Sequence, residues 1–241
     1  MTVAASAERQ LSDYSLVGPQ SEQAVALGLA DARWYATPIP REQMQALLER
    51  RDGPAIRDTL IWFVLLLGTA AAGIALWPSW LALIPFALYG VLYASSSDSR
   101  WHEAGHGTAF KTDWMNNGLY ELASFMVLRE SVPWRWSHAR HHSDTIIVGR
   151  DAEIALQRPM TWASLAGKFV NLPGFFHYFR TVFLHSTGKL NRQEATYIPA
   201  SEAPKVFWRA RLYLLVYAAV ILAAIASRSI LPLMLIGLPT F

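Results

Sequence analysis

Cysteine is absent from the 241 residues, which removes disulfides, zinc–cysteine sites, thiolate nucleophiles and cysteine-held iron–sulfur clusters. Charge is scarce: 16% of residues are Asp, Glu, Lys or Arg, against about a quarter in ordinary globular domains. The formal net charge of +3 is small and dispersed, which argues against nucleic acid as a partner. The opening residues, MTVAASAERQLSDYSLVG, carry acidic groups and no apolar core, so they do not read as a secretory signal. No flavin or nicotinamide motif, internal repeat or low-complexity tract is present. The balance is apolar, at 53% hydrophobic and 12% aromatic residues.

Long uncharged runs account for that composition. Thr59 to Trp77 (TLIWFVLLLGTAAAGIALW) has no charge, and a helix needs roughly 20 apolar residues to cross the ~30 Å hydrocarbon core. Asp58 is placed to cap its start. Pro78-Ser79, between Trp77 and Trp80, makes a turn at a headgroup boundary, with Pro78 suited to the first turn of the next helix. That helix runs from Trp80 to about Ser97, so residues 58–97 form a transmembrane hairpin. Residues 207–241 hold a third span, from about Tyr213 to Ala226, with Phe207, Trp208, Arg209 and Arg211 leading into it and Arg228 at its far end. Ser229 to Phe241 reads as a fourth span that stops inside the membrane, as in a C-terminally truncated fragment.

Lysine and arginine orient these spans. Six of the 21 precede residue 58, fourteen lie between 96 and 211, and Arg228 stands alone. Positive charge collects on the cytoplasmic side, so the N-terminal region (1–57) and the central region (98–206) are expected in the cytoplasm. In the first, residues 1 to about 20 read as flexible. Pro40 opens a short docking helix with Met44, Leu47 and Leu48 on one stripe, and Asp52-Gly53-Pro54 ends it. In the second, Trp114 to Leu128 reads as a re-entrant or surface-lying element. Met160 to Leu184, rich in aromatics including Phe169, reads as two interfacial helices joined at Leu172-Pro173-Gly174. Such helices suit an acyl-chain wall or a simple membrane anchor. The expected fold is therefore all-α and polytopic, with a helical cytosolic cap.

The chemistry sits in that cap. Five of the seven histidines fall in two boxes, His102-Glu103-Ala104-Gly105-His106 and His138-Ala139-Arg140-His141-His142. On a helix His102 and His106 share a face, and His138, His141 and His142 can project from one stripe. Two exposed histidines on a helix end could arise by chance, and the second box, with Arg135 and Arg140, could be a basic phosphate-binding patch. Both together, beside membrane spans, point to metal ligation. Trp134 and Trp136 precede the second box and suit the membrane interface. Asp144, Asp151 and Glu103 are candidates for orienting ligand N–H groups. His177 and His185 fit no pattern and read as interfacial or hydrogen-bonded histidines.

HEAGHG, followed about thirty residues later by WRWSHARHH behind a transmembrane hairpin, resembles the membrane fatty acid desaturases and their hydroxylase relatives, over roughly residues 34 to 241. The resemblance implies that His102, His106, His138, His141 and His142 help to hold two non-haem irons at the cytosolic membrane face. It implies oxygen-dependent desaturation of a lipid acyl chain, with dioxygen as co-substrate. Electrons would come from a separate ferredoxin, rubredoxin or cytochrome b5 type donor. The family's third box, H/Q-x-x-H-H, has no match here, so the stretch is expected to be incomplete for activity. Lipid or carotenoid hydroxylation is the related alternative. His102-Glu103-x-x-His106 also fits the zinc-protease pattern, in which the glutamate activates water, though H-x-x-H-H has no role there. A haem binder would draw its axial histidines from the spans, and all five lie outside the apolar cores.

Overall fold

A computed structural model describes residues 13–30, 35–97, 99–154, 158, 160–170 and 172–240. Most of the segment expected to be flexible, positions 34 and 241 of the family resemblance, and the side chain of Phe169 lie outside the described residues.

Every regular element among the described residues is helical. Two short helices, α1 (Pro19–Ala26) and α2 (Arg41–Leu47), precede α3 (Asp52–Leu76). The Asp52-Gly53-Pro54 triplet, expected to end α2, instead starts α3. An acid in the first turn favours the positive end of the helix, and a proline there gives up no intrahelical hydrogen bond. Asp58 is consequently inside the helix, not capping it, and pairs with Arg57 at 2.8 Å. None of the residues of α2 is buried, and its Met44–Leu48 stripe is exposed among the described residues.

After the cis Trp77–Pro78 bond, the Ser79 hydroxyl accepts from the Leu81 N–H at 3.3 Å and starts the returning helix, whose main part is α4 (Leu83–Ala94). The hairpin closes tightly because Gly73 has no side chain. A Cβ there would lie 2.7 Å from the Phe86 ring. The Trp62 indole N–H donates to the Leu92 carbonyl at 2.9 Å, tying the two helices at their other end. The third long helix, α10 (Ala203–Ser227), begins ten residues before the expected start at Tyr213.

Three segments, Arg41–Leu76, Trp80–Gly105 and Ala203–Ser227, contain stretches long and apolar enough to cross a membrane, and only 22%, 28% and 11% of those stretches is buried within the molecule. Apolar surface turned outward on this scale needs a lipid solvent. The chain is an all-α membrane protein. The terminal apolar stretch turns back as the short helix α11 (Leu231–Leu235), where the Leu235 carbonyl accepts from the Tyr89 hydroxyl at 2.6 Å.

The cap is built from α5 (Ser99–Gly105), α6 (Asp113–Met126), α7 (Ser131–Ser143), α8 (Trp162–Val170) and α9 (Leu172–Ser186). α6, expected to be re-entrant or surface-lying, instead packs under α5. It buries Leu119, Tyr120, Ala123 and Met126 in the same core as Trp62, Tyr93 and Trp101. The two helices expected between Met160 and Leu184 are present as α8 and α9, but Leu172-Pro173-Gly174, expected to join them, forms the first turn of α9, where a proline gives up no intrahelical hydrogen bond; position 171 lies outside the described residues. α9 packs on α10 through Tyr178 and Val182 against Ala210, Tyr213 and Tyr217.

Candidate metal centre

α5 forms the end of the second apolar segment, so His102 and the following His106 stand at the end of the membrane hairpin. The loop after them is clamped from two sides. Asn116 Oδ1 accepts from the Phe110 N–H at 2.9 Å, and its amide donates back to the Phe110 carbonyl at 2.8 Å. The Asp52 carboxylate at the start of α3 accepts from the Thr112 N–H at 2.9 Å and its hydroxyl at 2.7 Å. These bonds hold the Asp52 carboxyl below the usual carboxylate range. Arg50 adds a guanidinium contact to the Gly107 carbonyl.

α7 then lays the second box across the first. His138 Nε2 lies 2.9 Å from His102 Nε2 and 3.1 Å from His106 Nε2. His142 Nε2 lies 3.1 Å from His138 Nε2 and 3.2 Å from His106 Nε2. The four ligand atoms all fall within 4.8 Å of one another. The structure thus brings together four of the five box histidines, from positions more than thirty residues apart.

His138 is the hub, and its protonation can be argued from its other nitrogen. Nδ1 is 2.8 Å from Glu153 Oε2, and a carboxylate there calls for an N–H. Nε2 must then present a lone pair toward three further imidazole nitrogens. A pocket where lone pairs face one another is satisfied by a cation. With metal–nitrogen bonds of about 2.0–2.1 Å, neighbouring ligand atoms fall roughly 3 Å apart, which matches the closest spacings here. Burial, which outweighs the opposing pull of Glu153, keeps the His138 imidazole below its ordinary value. Burial and the adjacent imidazoles do the same to His106. Neutral imidazole is the ligating form. The residues present therefore fit a metal ion.

His141 stands apart. Its Nδ1 is 2.9 Å from Asp151 Oδ2, and its ring centroid is 5.6 Å from that of His138 and 5.8 Å from that of His142. It borders the cluster without joining the four.

Of the three carboxylates expected behind the ligands, only Asp151 holds one. Asp144 is buried but accepts from Arg150 Nε at 2.9 Å, and Glu103 makes no contact with any box imidazole. The second carboxylate is Glu153, which the sequence reading missed. It reaches back from a loop bent through left-handed Ile146 (φ 63°) and Gly149 (φ 80°). Asp151 organises that loop, accepting from the Ile146 and Glu153 N–H groups at 2.8 Å each.

Trp134 also departs from expectation. Instead of lying at the membrane interface, it is buried and stacks on the His138 ring with centroids 4.2 Å apart and an interplanar angle of 18°. Trp101 also lies against it, with ring centroids 3.6 Å apart. Gly105, between the histidines of the first box, makes room for it: a Cβ there would lie 2.9 Å from the Trp134 ring. Trp136 is likewise drawn inward, against Val132, Ile198 and Val206. Each indole turns toward the core because α7 is covered on both flanks.

His185 is fully buried between Glu130 (2.8 Å from Nδ1) and Glu194 (2.8 Å from Nε2). Burial opposes its protonation, but the two carboxylates prevail and push it up to about 9. It is a hydrogen-bonded structural histidine, as expected, and it fastens the residue preceding α7 to α9. His177 is exposed on α9.

Comparison with known proteins accords with this geometry. The family model described as fatty acid desaturase matches residues 78–241. The "Omega-6 fatty acid desaturase, endoplasmic reticulum isozyme 1" of Glycine max is 29% identical over 99 residues, covering 40% of this chain and 25% of that protein. The "Bifunctional fatty acid conjugase/Delta(12)-oleate desaturase" of Punica granatum is 32% identical over 99 residues, with the same coverage of each. The chain thus spans about a quarter of the length of the curated relatives it matches. No solved structure matches. A helical membrane hairpin that carries converging histidine boxes, within a match reaching from the inter-helix turn to the last residue, places this chain in the fatty acid desaturase family.

Proposed function

We propose that the chain forms the first two histidine boxes of an oxygen-dependent fatty acyl desaturase. The observation that carries this reading is the convergence of His102, His106, His138 and His142 on one point, across two separate stretches of sequence. Iron is the metal best matched to an all-imidazole donor set in this family. Bound there, it would supply the activation of dioxygen needed to remove two hydrogens from an unactivated acyl chain. His141, on the flank of the cluster, is assigned to a second iron, completed by ligands from elsewhere in the whole protein.

The protein's own residues set up the rest. Glu153 and Asp151 keep Nδ1 of His138 and His141 protonated, which leaves Nε2 free to ligate. Trp134 and Trp101 wall the cluster on its inner side and exclude water there. The basic cap faces the cytoplasm, where a ferredoxin, rubredoxin or cytochrome b5 type donor could reach it. The substrate is a lipid acyl chain drawn from the membrane. Hydroxylation of a lipid or carotenoid uses the same metal chemistry and is separated by product analysis.

The zinc-protease alternative is disfavoured by Glu103, which should face the metal to activate water but instead lines a separate cleft with Asp58, Thr59 and Arg100. Four converging imidazoles also exceed what that motif uses. The test is metal analysis of the purified full-length protein, coupled to product analysis in cells supplied with fatty acids. Two irons per chain and new unsaturated product are expected. In the same cells His141→Ala should abolish unsaturated product while membrane insertion persists. One zinc with peptidase activity, or full turnover by His141→Ala, would overturn the assignment.

A further inference from the structure

α9 spends one side on α10 and leaves two others open. Along one, Leu172, Phe176 and Phe183 are 52%, 68% and 65% exposed. They recur at helical spacing, and the run from the first to the last extends about 16 Å. Next to that strip, His177, Arg180 and Thr181 line a cavity of about 720 Å³, which the following loop closes with Asn191 and Arg192. Phe183 borders the cavity as well as the strip.

The cavity is cationic in a way the fold does not use. Neither Arg180 nor Arg192 has an acidic partner among the described residues. The acid lining the same cavity, Glu194, turns away to His185 at 2.8 Å and accepts from the Asn191 N–H at 3.1 Å. Asn191 Oδ1 is taken by the Glu194 N–H at 2.9 Å, so its amide N–H groups remain for an incoming acceptor. Guanidinium groups match the tetrahedral oxygens of phosphate, often with two parallel hydrogen bonds. A free anion would have no use for the apolar strip that leaves the cavity. An amphiphile uses both.

We propose that this cavity binds the phosphate of a phospholipid headgroup, with an acyl chain of that lipid lying along Leu172, Phe176 and Phe183. The proposal rests on the membrane location of the chain and not on desaturation. Ala152 also lines the cavity, between the carboxylates that hold His141 and His138.

The experiment is calorimetric titration of the detergent-solubilised chain with three soluble probes: dihexanoyl phosphatidic acid, dihexanoylglycerol and inorganic phosphate. Phosphatidic acid should bind saturably and at least about ten-fold tighter than either other probe, as charge-assisted pairing plus apolar contact requires. Arg180→Gln with Arg192→Gln should weaken it at least about ten-fold, and Arg180→Lys with Arg192→Lys should restore part of the loss. Helix content and melting temperature report whether these variants fold. Equal affinity for dihexanoylglycerol would overturn the headgroup assignment, and equal affinity for inorganic phosphate would overturn the lipid assignment. Folded double variants that bind as tightly as the parent would remove the two arginines from the site. Metal binding, measured in parallel, responds to the histidine cluster and not to these arginines. Failure here is thereby distinguishable from failure of the desaturase reading.

Discussion

Replacing Glu153 with alanine separates a designed metal site from four histidines that merely crowd together. Glu153 uses both oxygens, one on His138 Nδ1 at 2.8 Å and one on the Ser137 hydroxyl at 2.9 Å. His138 in turn is the ring closest to the other three, at 2.9 to 3.1 Å. Without the carboxylate, the proton of His138 is free to move to Nε2, and the hub then points an N–H where a lone pair is needed. Losing such an outer partner typically weakens metal binding about 10–100-fold, or roughly 1.4–2.8 kcal/mol. Because the affected ring is the hub, the upper half of that range is expected. The assay is competition of cobalt(II) between the detergent-solubilised protein and a chelator, with helix content as the folding control. His141→Ala is the comparison, because His141 lies outside the four-nitrogen cluster. It should change affinity for the first ion by less than about three-fold. If Glu153→Ala binds like the parent, or His141→Ala loses as much as Glu153→Ala, the argument from the hub is refuted.

Three other outcomes follow from the same geometry. Gly105→Ala places a methyl about where the Trp134 ring lies, so overpacking of roughly 1–3 kcal/mol should displace Trp134 from His138; quenching or shift of tryptophan emission together with weaker metal binding checks it. Glu103→Gln should leave cobalt affinity unchanged, since Glu103 touches no ligand; a loss would show that Glu103 supports the ion or one of its ligands. His185, raised to about 9 from an ordinary 6.5, contributes stability that is complete below pH 6.5 and disappears as pH climbs through 9. The melting temperature should therefore fall across that window, and His185→Gln should flatten the profile and cost about 3–5 kcal/mol, the penalty for breaking a buried charged network; an equally steep profile in the variant would rule out His185 as its source.

The membrane hairpin, the third span and the two aromatic helices were legible because each rests on a local signal, namely an uncharged run or a proline that suits the start of a helix. The Asp52-Gly53-Pro54 triplet was misread because the same residues suit a turn and a helix start, and only the length of the following helix decides between them. Glu153 was invisible for a different reason. It lies 15 residues beyond His138, on a loop whose return depends on left-handed backbone at Ile146 and Gly149. Gly149 packs against the backbone of Gln20 and Ser21, where a Cβ would meet the Ser21 nitrogen at 2.6 Å. The path of that loop is thus set partly by a segment far away in sequence. Trp134 was read by its residue type, which suits an interface. Its burial follows from the glycine of the first box, a vacancy that matters only once α5 and α7 are in contact.

The separation of His141 from its neighbours follows from helix geometry and bears on how many ions the site can hold. Residues advance by about 100° each around an α-helix. Relative to His138, His142 is therefore turned about 40° one way and His141 about 60° the other. The H-x-x-H-H pattern is not one stripe but a fan with His138 at its axis. The axis meets His102 and His106, and one edge, His142, meets His106. The other edge carries His141, held by Asp151 at 2.9 Å, away from the first cluster and supplied with its own carboxylate. A single ion would need no such provision. A second ion would, and its remaining ligands would have to approach the His141 edge from outside α5 and α7. Joining the chain to a segment that carries a further histidine trio should therefore raise metal content from one ion to two, and His141→Ala should return it to one. If the extended protein still binds a single ion, or if His141→Ala leaves two in place, the fan has no bearing on nuclearity.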